Sequence, residues 1–187
     1  MEMLHERFEA SLERMGLRSL DGPVFSGAAA GLRFAVGGSE EIYLGDHRKP
    51  NGAYIENAVD RALTLFEHLP GRPDLLRIDE CPGLGFLPPP TESAGNSDYW
   101  ALTGTVPFLR KLFREIVRSE LDPAGIEGLV SSVFFLDSRR DILFQLYDDR
   151  GCDVAAPDKA LLEPLFRDFR AWIPEDVLPQ IHRLFGE

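Results

Sequence analysis

Two adjacent β-rich runs constrain this chain more than any other feature. They are Leu129-Val-Ser-Ser-Val-Phe-Phe-Leu136 and Ile142-Leu-Phe-Gln-Leu-Tyr147, joined by the polar stretch Asp137-Ser-Arg-Arg-Asp141. β-branched and aromatic residues suit a pleated backbone, and the polar linker is turn chemistry, so the pattern predicts a long hairpin over about 129–147. Both strands are almost continuously apolar. A strand wetted on one face would alternate, so both faces of this hairpin need cover.

Amphipathic segments supply that cover. Leu4, Phe8, Leu12 and Met15 recur at helical spacing over 2–15, with Gly16 as the stop. Further helices are expected over 54–69, 107–118, 158–172 and 175–185, each with an apolar stripe. Pro164 is awkward inside the fourth and suggests a start near Glu163, while Pro179 implies a tight start or a kink in the last. Leu32 to Val36 reads as a strand, with Ile42 to Leu44 as its hairpin partner across Gly37-Gly38-Ser39. Leu75, Leu76 and Ile78 mark a short strand ending at Asp79-Glu80. The Gly27-Ala-Ala-Ala-Gly31 stretch lacks the Lys and Ser/Thr of a phosphate loop and precedes a strand, so it reads as a tight turn with close backbone packing. Residues 81–98 form an irregular Pro/Gly-rich loop holding Pro82 and Pro88-Pro89-Pro90, anchored at its end by Tyr99 and Trp100. The order of elements gives an α+β fold: a mixed or mainly antiparallel sheet around the 129–147 hairpin, with helices packed on it. No repeat or charge boundary divides residues 1–187, so one domain is expected.

Acidic residues outnumber basic ones by 31 to 20, a formal net charge of −11. That balance speaks against a nucleic-acid binder working through phosphate contacts. It would steer the protein toward a cationic partner. The one basic face is Arg110, Lys111, Arg114 and Arg118 on the 107–118 helix. It reads either as a solvated face pairing with acids such as Glu115 and Glu120, or as an anion or partner surface. No run approaches the ~20 apolar residues that span a bilayer, so no membrane partner is expected. Glu6, Glu9 and Glu13 near the start are unlike a secretory segment, which makes a cytoplasmic location the expectation. Cys81 and Cys152 are then expected as reduced thiols. The four histidines are scattered and no CxxC occurs, so no zinc pattern or other cofactor motif stands out.

The densest chemistry is Tyr147-Asp148-Asp149-Arg150-Gly151-Cys152-Asp153, which follows directly on the hairpin. Strand alternation would put Tyr147 and Asp149 on one face and Asp148 and Arg150 on the other, with Gly151 allowing a sharp turn. Paired carboxylates can hold a divalent metal, with further oxygens from Asp153, Asp137, Asp79 or Glu80. The same residues can equally build a rigid turn, an aspartate accepting backbone N–H bonds while Arg150 forks onto a carboxylate. Cys152 as a nucleophile would need a nearby base and a depressed pKa.

This run, together with Tyr54-Ile55-Glu56, Arg61 to Glu67 and the Leu165 to Ile173 segment with Trp172, resembles an uncharacterised bacterial family, domain of unknown function 3885. The similarity covers most of the chain, closer from about residue 50 onward and loose before it. It implies a compact fold shared with small bacterial cytoplasmic proteins and lends no activity, substrate or catalytic residue. The leading expectation is a non-catalytic protein-interaction domain, an immunity-type inhibitor or adaptor that covers a basic partner with Asp148, Asp149, Asp153, Glu40, Glu41 and Asp46. The rival is a metal-assisted hydrolase using Asp148, Asp149 and Asp153. A third reading is a structural or oligomerising module, with the exposed part of Tyr99-Trp100 or the C-terminal helices as self-contact. Oligomeric state is left open.

Overall fold

A computed structural model describes residues 3–45, 49–81, 83–122, 129 and 132–186. Residue 2 and the side chains Asp46, Pro82, Val130 and Ser131, which figure in the expectations above, lie outside these residues. The elements run α1 (Leu4–Met15), α2 (Val24–Gly27), β1 (Ala30–Ala35), β2 (Tyr43–Leu44), β3 (Lys49–Pro50), α3 (Gly52–Glu67), β4 (Leu75–Asp79), β5 (Glu92–Ala94), β6 (Ser97–Ala101), α4 (Leu109–Arg118), β7 (Val133–Asp137), β8 (Ile142–Leu146), β9 (Gly151–Ala156), α5 (Lys159–Phe169) and α6 (Leu178–Phe185). A single 3₁₀ turn, Arg170–Trp172, separates the last two helices.

Seven strands form one sheet in the order β1-β9-β8-β7-β4-β6-β5, and every neighbouring pair is antiparallel. The expected hairpin is there as β7 and β8, near the middle of the sheet. All residues of β7, β8 and β9 are buried. Two helical layers explain this. On one face α3, α4, α5 and α6 pack onto Leu76, Phe135, Phe144 and Val154. On the other, Phe8, Leu12 and Met15 of α1 cover Leu75, Phe134, Leu136 and Leu143. Phe66, Phe113, Phe135 and Phe144 cluster at the centre of the first layer, with ring centroids 5.0 to 6.4 Å apart.

Local chemistry sets the element ends. Gly16 stops α1 at φ 78°. Asn51 caps α3 by accepting the Ala53 N–H at 3.0 Å, and Asp158 caps α5 through the Ala160 N–H at 2.8 Å. The Asp158 cap overrides the expected start near Glu163, so Pro164 sits inside α5 on its exposed side. Pro179 lies in the first turn of α6, the tight start. The small-residue stretch packs closely as expected: a Cβ on Gly31 would stand 2.0 Å from the Phe25 carbonyl oxygen.

Three expectations are corrected. Ile42–Leu44 is not the partner of β1; β2 pairs with β3 in a separate ribbon, and β1 pairs with β9. A distant strand wins because it presents a long buried edge, which a two-residue strand cannot. Residues 81–98 are not irregular throughout: β5 and β6 form a hairpin around Gly95 and Asn96, so the irregular part ends at Thr91. The 147–153 run reads in sequence as an acidic cluster or a rigid turn after the hairpin; the turn is confined to 147–150, and Gly151–Ala156 is a fully buried strand. Among the described residues no helix is long and apolar enough to cross a membrane.

Candidate functional site

Residues 147–150 connect β8 to β9, closed by the Tyr147 N–H donating to the Gly151 carbonyl at 3.3 Å. Gly151 is required by proximity rather than by a sharp turn. A Cβ there would meet the Phe34 carbonyl oxygen at 2.6 Å, where β1 runs alongside.

Asp148 is 1 % exposed and fully engaged. Its Oδ1 accepts the Arg150 backbone N–H at 2.7 Å, and its Oδ2 accepts from the Arg150 guanidinium, Nε at 2.7 Å and Nη2 as well. This is the aspartate turn with an arginine fork. The Asp148 hydrogen bonds, the largest cause, hold the Arg150 pKa well above its ordinary value. Arg150 also lies 3.7 Å from a Glu120 carboxylate oxygen.

Asp149 turns the other way. Tyr54 of α3 donates its hydroxyl to Asp149 Oδ2 at 2.7 Å. Burial, first, and the neighbouring Asp148 charge raise the Asp149 pKa, against the pull of the Tyr54 bond. Burial likewise raises the Tyr54 hydroxyl, with Asp149 adding to it.

Asp153 belongs to a different constellation. It is fully buried on the α1 side of the sheet, opposite Arg33 of β1. Arg33 donates two bonds to it, at 2.7 and 2.9 Å, and the Phe25 N–H a third at 3.3 Å. The Arg33 guanidinium lies between the Phe25 ring, at 4.4 Å, and the Tyr147 ring, at 5.0 Å. Burial raises the Asp153 and Tyr147 pKa values, Arg33 opposing both. Tyr147 and Asp149 therefore do not share a face, because the chain leaves strand geometry after Leu146 and alternation lapses.

What converges is a triad absent from the sequence expectation. Ligand oxygens of Glu120, Asp148 and Asp149 lie within 4.8 Å of one another. Glu120 follows α4 and, in sequence, looked only like a partner for that helix's basic face. Its approach to the β8–β9 turn is a long-range contact with no local signal. Three carboxylates face one guanidinium, leaving two formal negative charges at the site.

The other expected contributors are elsewhere. Asp79 is held by Arg77 and Ser97. Asp137 accepts the Arg139 N–H at the opposite end of the hairpin. Glu80 follows β4, its N–H bonded to Asn96. Glu40 accepts from Asn57, and Glu41 is exposed. Cys152 is fully buried, and burial pushes its thiol well above the ordinary value, the reverse of an activated nucleophile. Cys81 and Cys152 are both free. Tyr99 and Trp100 are 3 % and 4 % exposed, so they offer little surface for self-contact. The basic face of α4 largely pairs with acids, chiefly those of α3: Arg110 with Glu56 and Asp60, Arg114 with Glu56, and Arg118 with Glu115 and Asp122.

Residues 99–176 match the family described as domain of unknown function (DUF3885). The matched region contains the hairpin, the Tyr147–Asp153 run, Glu120 and the Leu165 to Ile173 segment. It begins at residue 99, so the 54–67 helix lies before it. A 43-residue stretch is 44% identical to the Uncharacterized protein YnaE of Bacillus subtilis (strain 168), covering 23% of this chain and 20% of that protein. The chain thus aligns with about a fifth of that relative's length. No solved structure matches. Over residues 99–176, from β6 to just beyond the 3₁₀ turn, this chain is similar to the DUF3885 family.

Proposed function

We propose that Glu120, Asp148 and Asp149 form a divalent-cation site and that the domain carries out metal-assisted hydrolysis there. The observation behind this reading is the convergence of three carboxylates within 4.8 Å at a strand-end turn. An all-oxygen donor set suits a hard cation such as Mg²⁺, Ca²⁺ or Mn²⁺. A divalent ion would cancel the two charges that Arg150 leaves uncompensated and would offset the repulsion that raises Asp149. Such an ion supplies an acidified water and a polarised substrate oxygen. Of this chain's own groups, Tyr54 orients Asp149, and Arg150 holds Asp148 and could swing toward an anionic substrate group. Two free thiols are in keeping with a reducing, cytoplasmic setting for this activity.

The test is thermal unfolding with Mg²⁺ or Mn²⁺ for the wild type and Glu120→Gln. Glu120 is exposed, so the variant should fold. The expected result is saturable stabilisation, about 2.7 kcal/mol when the free ion is a hundredfold above Kd, that Glu120→Gln greatly weakens. No shift in the wild type overturns the reading.

A basic protein partner is the second reading, favoured by one observation: the cluster already receives a guanidinium, that of Arg150. With a net charge of −11, a partner arginine or lysine would be drawn toward the same acids. This reading expects Glu120→Gln and Glu41→Gln to slow association with the partner and to reduce its salt dependence, with no metal effect.

A further inference from the structure

One cation of the α4 basic face stays out of its ion pairs. Among the described residues Lys111 has no carboxylate partner; its ammonium lies 4.5 Å from the centre of the Phe86 ring. Beside it runs a groove of about 660 Å³ between the 86–88 segment and the approach to α4, walled by Phe86, Leu87, Leu102, Val106 and Phe108. Among the described residues no acidic side chain lines this groove, on a chain carrying 31 of them. The wall is fastened to the sheet: the indole N–H of Trp100 donates to the Pro88 carbonyl at 2.8 Å.

At Leu102 and Thr103 the groove adjoins a second hollow of about 650 Å³, bordered by Arg72, Arg139 and Arg140. Its two acids are occupied. Asp74 accepts from Arg7 at 2.7 Å and from Ser138, and Asp137 accepts the Arg139 N–H at 3.0 Å. Arg140 lies 3.8 Å from Asp137. The exposed side chains of Arg72 and Arg139 make no ion pair among the described residues. One half of the surface is thus apolar and free of acids. The adjoining half offers planar guanidinium forks suited to a carboxylate.

We propose that this double groove binds a small amphiphilic anion, with an apolar body against Phe86, Leu102 and Phe108 and a single carboxylate head at Arg72 and Arg139. Each half is of the size that holds a compact organic group, and the fixed Pro88 wall keeps the apolar half preformed. A cationic amphiphile would meet Lys111 and the arginines with the wrong sign. Inorganic phosphate would leave the apolar half without a partner.

The test is isothermal titration of the full chain with octanoate, and with octyltrimethylammonium as the same tail under the opposite charge. The expected result is one saturable octanoate site and none for the ammonium compound. Arg72→Gln/Arg139→Gln, both exposed, should weaken octanoate about tenfold with an unchanged circular dichroism spectrum. Val106→Asp, which alters the apolar half alone, should weaken it as well. Equal binding of both head groups would reduce the groove to apolar adhesion and overturn the proposal. So would unchanged octanoate affinity in the arginine variant, or the absence of a saturable octanoate site. Binding of an acidic peptide without octanoate would reassign the groove to a protein partner.

Discussion

Asp148 and Asp149 are neighbours with opposite tasks. Asp148 is consumed by Arg150 and its backbone N–H, so it serves the turn whatever else it does. Asp149 is the strained member, because burial and its neighbour's charge raise its pKa. A carboxyl whose folded pKa exceeds its unfolded value, about 3.9, binds more protons when folded. Its contribution is therefore most favourable below the unfolded pKa and is lost as pH rises through the folded pKa. Asp149→Asn keeps an acceptor for Tyr54 but cannot titrate. The variant should gain stability relative to wild type as pH rises from about 4, a trend that urea unfolding at several pH values would reveal. A flat difference would show that Asp149 is unperturbed. Asp153 differs, since Arg33 grips it from an adjacent strand. Asp153→Ala strands a largely buried guanidinium and should cost about 3–5 kcal/mol of stability. An effect below about 1 kcal/mol would mean that solvent reaches Arg33 after the substitution.

Elements were legible in proportion to how locally they are determined. α1, α3, α4 and the β7–β8 hairpin follow from apolar periodicity and turn residues within their own spans, and the structure has each close to its expected bounds. β9 was not legible, because Gly-Cys-Asp-Val-Ala-Ala has small residues and a carboxylate where strand signals are bulky. Its small side chains fit because β1 and β8 press on it from both sides. β5 and β6 were hidden by the prolines before them, although Gly95-Asn96 is hairpin turn chemistry. In the site, the Asp148–Arg150 turn could be read from adjacent residues. Tyr54, Glu120 and Arg33 could not, because each arrives from a distant segment. Two backbone effects can be measured. Gly31→Ala drives a methyl into the Phe25 carbonyl and should destabilise by more than about 2 kcal/mol in chemical denaturation. Pro164→Ala acts in reverse, restoring an N–H and relieving the Ala160 carbonyl inside α5. The side chain is exposed, so little packing is lost. A gain of about 1 kcal/mol or more is expected, reduced by the freer unfolded chain.

At the scale of the molecule, the sheet joins segments far apart in sequence. β1 adds to β9, and β4 lies between β6 and β7. Such pairings require long loops to close before they are rewarded, which places folding in the slow, non-local regime. Amide exchange should be slowest in β7, β8 and β9, buried on both faces, and fastest in β5 at the edge. Equal protection across the sheet would contradict this layering. The strand order has one more consequence. The region that matches the family model begins at residue 99, yet the neighbours of β7 and β9 on their outer sides, β4 and β1, come from before it. The matched region is therefore smaller than the sheet it belongs to. Cut out alone, residues 99–176 would hold β6 with nothing to pair it to β7 and would expose two long apolar strand edges, the template for aggregation. In this chain two strands from outside the matched region, β1 and β4, complete its sheet and bring their own surfaces with them. β1 brings Arg33 to Asp153, and β4 leads in from Arg72, so both that buried ion pair and the proposed anion groove draw on residues before position 99.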